Sequence, residues 1–167
     1  MRFKVAILIA ILLIFISFSL GFFRGQDASL EDIKEIERTI KGLEKTPSFI
    51  FFNNFLIASA TLIPLIGIFL HLFVQFNTGY VIGALTSSIN FSDSFLILTF
   101  VISPVFILEY SAYTITLGES INLTTLSLRR AGFRSRLKMS LKILLIAAIL
   151  LFIGALVESY LIMTFMG

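Results

Sequence analysis

What most constrains this chain is a set of apolar runs long enough to cross a lipid bilayer. Residues 95–117, FLILTFVISPVFILEYSAYTITL, form one of them. Several others reach about 18 residues, the length that spans roughly 30 Å of hydrocarbon. With 57% apolar and 14% charged residues and a mean hydropathy of +1.01, a soluble domain of 167 residues could not hide so much apolar surface. The chain therefore reads as an all-α integral membrane protein. It has no cysteine, which excludes disulfides, iron–sulfur ligation and thiol catalysis. Trp is absent, so any aromatic interfacial belt must come from Tyr and Phe.

The apolar runs predict a multi-pass helical bundle, a single membrane domain over residues 1–167. Five membrane segments are expected, at 5–23, 50–72, 78–89, 95–117 and 141–166. The first follows Arg2 and Lys4. Its apolar core exceeds the usual 7–15 residues of a signal peptide, and no A-x-A-like site precedes Arg24, so it reads as an uncleaved anchor. The third is short enough to be either a span or a re-entrant half-helix. Gln75, Asn77 and Gly79 cluster where a break before it would fit. Gly79 and Gly83 stand at GxxxG spacing, which allows close helix approach in lipid. Pro64 falls inside the second segment, and Pro104 inside the fourth, and both read as helix breaks.

Between the first two segments lies a polar stretch that predicts a short amphipathic helix over 29–44. Ser29 is its cap, with Asp32 as a capping-box-like partner. Leu30, Ile33, Ile36, Ile40 and Leu43 make one apolar stripe, and Glu37 and Lys41 pair at i,i+4. This helix lies on the membrane or on its own bundle; the rival reading is a docking or dimer seam.

Orientation follows from the basic segment 118–140, which carries Arg129, Arg130, Arg134, Arg136 and Lys138 against one acid, Glu119. The positive-inside rule places it in the cytoplasm. Five spans then put Arg2 and Lys4 inside and the amphipathic helix outside; four spans reverse both. Topogenic anchoring and attraction to anionic lipid explain the cluster best, each basic residue contributing roughly 1 kcal/mol near the surface. Docking of a cytosolic protein is the alternative. Nucleic acid is excluded as a partner, since no aromatic-interleaved or groove-reading module is present.

From Phe51 onward the chain resembles the stage II sporulation protein M family, small multi-pass membrane proteins of bacteria and archaea. Asn53 and Asn54, opening a span, look like that family's N-N element. The stretch Asn77, Thr78, Gly79, Tyr80, Val81, Ile82, Gly83 is similar to its N-G-x-x-x-G element, with one residue inserted after the asparagine. Pro104 through Glu109, followed by Ala112 and Gly118, resembles its P-H-G-x-x-E element, with Val105 and Phe106 where the histidine and glycine would stand. The Ile/Phe/Lys-rich, cysteine-free composition suits an archaeal member. The resemblance implies a multi-pass bundle and, in sporulating bacteria, a scaffold for peptidoglycan-degrading partners at the engulfing membrane. For archaeal relatives it implies no established activity.

The residue that asks for a chemical explanation is Glu109, because a carboxylate in a span costs roughly 2.5 kcal/mol or more. On a helix Tyr113 shares its face and lies within reach of a hydrogen bond. Pro104 would kink the span just before it. Asn53 and Asn54 are the best candidates to meet it across the bundle. Three roles compete: a buried hydrogen-bonding anchor, part of an ion or proton route, and a contact to a partner or lipid headgroup. His71, the chain's one histidine, is expected near a membrane face, and a lone His builds no metal site. Glu158, Glu119 and Asp93 are expected at interfaces. Asn90 and Asn122 begin N-glycosylation sequons.

No P-loop, H-E-x-x-H, G-x-S-x-G or dinucleotide fingerprint occurs, and no cofactor or metal is implied. The leading expectation is a non-catalytic protein that scaffolds partners or forms a homo-oligomer in the cell membrane. The competing class is a small transporter or channel using Glu109, Asn53 and Asn54, which at this length predicts assembly of several protomers.

Overall fold

The computed structural model describes residues 3–44, 46–87, 103–129 and 133–165, and these form six α-helices and no strand. They are α1 (Phe3–Gln26), α2 (Leu30–Gly42), α3 (Pro47–Thr61), α4 (Ile66–Ser87), α5 (Pro104–Leu128) and α6 (Phe133–Phe165). Three of them, α1, α4 and α6, are long and apolar enough to cross a membrane. At about 1.5 Å per residue, α3 spans only about 22 Å.

Small residues predominate on the inward side of α1. Ala6, Ala10, Gly21 and Gly25 are buried, with Ile14 and Phe22 between them, while Leu8, Leu12, Phe15, Leu20 and Phe23 are exposed. That is the pattern of a helix in lipid, where apolar bulk gains nothing by hiding and small residues let backbones approach. Against α4 the approach is as close as it can be. A methyl group at Gly21 or Gly25 would overlap the Phe76 or Tyr80 carbonyl; one at Gly79 or Gly83 would overlap that of Phe18 or Phe22. Each helix thus supplies a GxxxG pair to the same crossing. Ser17 Oγ donates to the Leu72 carbonyl at 2.7 Å one turn away, and the order of these pairs makes α1 and α4 parallel.

The break between α3 and α4 falls at 62–65, earlier than the sequence reading placed it. Pro64 stands in that turn, and Leu65 takes a left-handed φ of 65°. The Leu65 N–H donates to Thr124 Oγ1 of α5 at 2.8 Å, which ties the turn down. A segment 50–72 is therefore two helices, and residues 78–87 are the end of α4 rather than a separate half-helix. Gln75, Asn77 and Gly79 lie within α4, not at a break. Residues 88–89 lie outside the described residues.

Pro104 opens α5 instead of kinking it. It occupies the first turn, behind the cap Ser103, whose hydroxyl accepts the Phe106 N–H at 3.1 Å. There proline's missing N–H costs nothing, because that donor has no intrahelical partner anyway. Residues 95–102 of the expected span lie outside the described residues. At its other end α5 continues to Leu128, through residues expected in a cytoplasmic segment. It touches α1, α3, α4 and α6 and contributes Ala112, Tyr113 and Leu117 to the core. Being the enclosed helix, it can carry polar residues that a lipid-facing helix could not.

The capping box of α2 forms as its sequence predicts. Ser29 Oγ accepts the Asp32 N–H, and the Asp32 carboxylate accepts from the Ser29 hydroxyl and backbone N–H. Those two bonds, the hydroxyl's first, hold the Asp32 carboxyl below the usual carboxylate range.

Candidate functional site

α3 and α4 meet near their joint, where Thr61 and His71 are hydrogen-bonded, and an open cleft of about 930 Å³ lies between them. α5 and α6 back it, and α2 borders it with Asp32, Glu35 and Thr39. All four residues nominated from the sequence line this cleft: Glu109 and Tyr113 from α5, Asn53 and Asn54 from α3. Asn54 Nδ2 donates to Glu109 Oε1, so the expected meeting across the bundle is made by Asn54. Asn53 is exposed on the cleft wall. Tyr113 does not hydrogen-bond Glu109; its ring stands edge-on to His71, with centroids 5.3 Å apart.

Two further cleft residues escaped the sequence reading. Glu158 of α6, expected at an interface, faces the cleft together with Glu109. Gly154 lies one turn before Glu158 on the same helix face, beside Leu108 and Glu109 of α5. The other is Gln75, 1% exposed, which lines the cleft's inner wall.

His71 is a core residue, 0% exposed, and not interfacial. Its Nδ1 lies 3.0 Å from Thr61 Oγ1, and Nε2 lies 3.4 Å from Gln75 Nε2. Thr61 Oγ1 spends its own hydrogen on the Ile57 carbonyl, at 2.8 Å. It can therefore only accept from His71, so Nδ1 carries the ring hydrogen and Nε2 is an acceptor. Gln75 must then present its amide N–H to His71. Its Oε1 is left without a partner among the described residues.

A second polar group closes the far end of α5. Glu119, also expected at an interface, is 0% exposed. Arg136 clamps it with Nε at 2.8 and 3.2 Å and Nη2 at 2.6 Å, and Ser140 Oγ adds 2.7 Å. The Arg136 guanidinium also sits 5.5 Å from the Phe3 ring centroid, which places the start of α1 beside the basic segment. Arg136 is therefore drawn inward, whereas Arg129 and Lys138 are exposed. Arg130 lies outside the described residues, as do Asp93 and Asn90. Asn122 is buried within α5.

The chain is all-helical over its described residues, with three helices long and apolar enough to cross a membrane and a cleft lined by polar side chains among its helices. The chain belongs to the stage II sporulation protein M family, whose sequence model matches residues 5–161. The match begins well before Phe51, so α1 and α2 are part of the family's domain. No curated protein and no solved structure matches the chain.

Proposed function

We propose that this chain is a non-catalytic multi-pass protein of the cell membrane that takes up a small polar solute in the cleft and serves its passage. One observation carries the reading: Glu109, Glu158, Asn53, Asn54 and Gln75, from four helices, share one cleft within a single chain. An acid placed only as glue would need a closed helix contact, whereas Glu109 borders open volume. The cleft also removes the reason to require several protomers around one site.

The topology that fits is five crossings, by α1, α3, α4, α5 and α6, with α2 outside. Phe3 beside Arg136 supports it, because a four-span chain would put the N-terminus and the basic segment on opposite sides. By the positive-inside rule that shared end is cytoplasmic, and the cleft, bordered by α2, opens outward. Reconstituted in liposomes, the native protein should release or admit a small cation or proton, and Glu109→Gln should cut that flux severely. Equal flux in both, or none in either, would sink the transport reading.

Scaffolding or self-association is the second reading. An apolar groove of about 980 Å³ between α1 and α5, edged by Phe15, Phe18 and Phe106, supports it, because a partner helix could lie there. Photo-crosslinking from Phe15 in native membranes should then capture a second copy or another membrane protein. Labelling by lipid alone would count against it.

A further inference from the structure

We propose that the cleft is built for an organic cation that donates hydrogen bonds, a small alkylammonium or guanidinium. This rests on the reading of the cleft as a solute site, and it adds the ligand's chemistry. Among the described residues the cleft is lined by Asp32, Glu35, Glu109 and Glu158 and by no Lys, Arg or His, so an anionic ligand is opposed by charge. Asp32 is occupied as a helix cap, and Asn54 takes one oxygen of Glu109. That leaves the rest of Glu109, together with Glu158, to face a ligand within the bundle.

Hydrogen-bond bookkeeping at the inner wall narrows the class further. The chain Thr61–His71–Gln75 fixes the Gln75 amide with its N–H turned to His71. Gln75 lines the cleft, and its remaining acceptor, Oε1, is buried and without a partner among the described residues. A buried acceptor of this kind is satisfied by a ligand that donates. Tyr110 and Tyr113 line the same cleft, Tyr110 with its ring stacked on Phe106. Among the described residues no group of three or more His, Cys, Asp or Glu could hold a metal ion, so the pattern is not a metal cage. Carboxylates with no basic side chain among them and a buried acceptor on the wall together match an N–H-bearing cation, and about 930 Å³ accommodates one readily.

The test is equilibrium binding to the full-length protein in lipid nanodiscs, with butylammonium, guanidinium, tetramethylammonium, sodium and glutamate as probes. Butylammonium or guanidinium should bind, and should bind more tightly than tetramethylammonium, which has the charge but no N–H. Glu109→Gln and Glu158→Gln should each weaken that binding by roughly thirty-fold. Gln75→Leu should erase the preference over tetramethylammonium; if that variant does not fold, the probe comparison on native protein decides the same point. Tetramethylammonium or sodium binding as well as butylammonium overturns the proposal, as does glutamate binding or no binding of any cation. Binding without flux in liposomes would support this ligand assignment while overturning the transport reading.

Discussion

At the scale of single residues, the membrane interior magnifies what each polar side chain costs or contributes. Glu119 and Arg136 show this most plainly. The acid is fully enclosed and the base is 27% exposed, so removing the base strands a charge inside the protein while removing the acid does not. Arg136→Ala should lower unfolding stability in detergent by about 3–5 kcal/mol, the range for breaking a buried pair. Arg136→Lys should recover part of it, since a point charge cannot reproduce the two-pronged grip. A loss below about 1 kcal/mol in Arg136→Ala would mean that water reaches Glu119. Glu109 and its partner Asn54 were legible from sequence, because an acid in an apolar run demands a donor and the asparagines were the nearest to hand. Glu119, Glu158 and His71 were not. Each sits near the end of an apolar run, where sequence alone favours the interface, and only the packing shows that Glu119 and His71 are enclosed and that Glu158 faces the cleft.

At the scale of elements, the α1–α4 crossing depends on the absence of side chains. Gly79 and Gly83 were readable at GxxxG spacing, but the complementary Gly21 and Gly25 pass unnoticed without knowing which helix lies opposite. Overpacking in a core typically costs about 1–3 kcal/mol. Here the obstructing atoms are backbone carbonyls of Phe18 and Phe22, which cannot rotate away. Gly79→Val should therefore cost at least the upper end of that range, seen as a lower midpoint in thermal unfolding of the detergent-solubilised protein. A variant that unfolds like the native chain would show that α1 and α4 can separate freely. The two prolines teach the same lesson about context. Pro64 and Pro104 both read as breaks within spans, and the first does terminate a helix. The second starts one, because Ser103 ahead of it caps the turn. A proline's role depends on whether its missing N–H falls inside a helix or in the first turn, and apolar runs do not mark that boundary.

At the scale of the whole molecule, the central claim is that a water-accessible polar cleft lies inside a single chain within the membrane. Class and family were legible in the sequence: the apolar runs define a helical membrane protein, and the short polar elements carry the resemblance. The cleft was not, because it is lined by residues of five helices, and their arrangement depends on a turn at 62–65 which the apolar run conceals. Asn53 and its neighbour Phe52 provide the direct test, since both are exposed on α3 but only Asn53 lines the cleft. The native chain has no cysteine, so single replacements give a clean background. With the protein in sealed, right-side-out membrane vesicles, a membrane-impermeant maleimide should modify Asn53→Cys from the outer face and leave Phe52→Cys unmodified. Equal labelling of the two positions, or labelling of neither, would contradict the account.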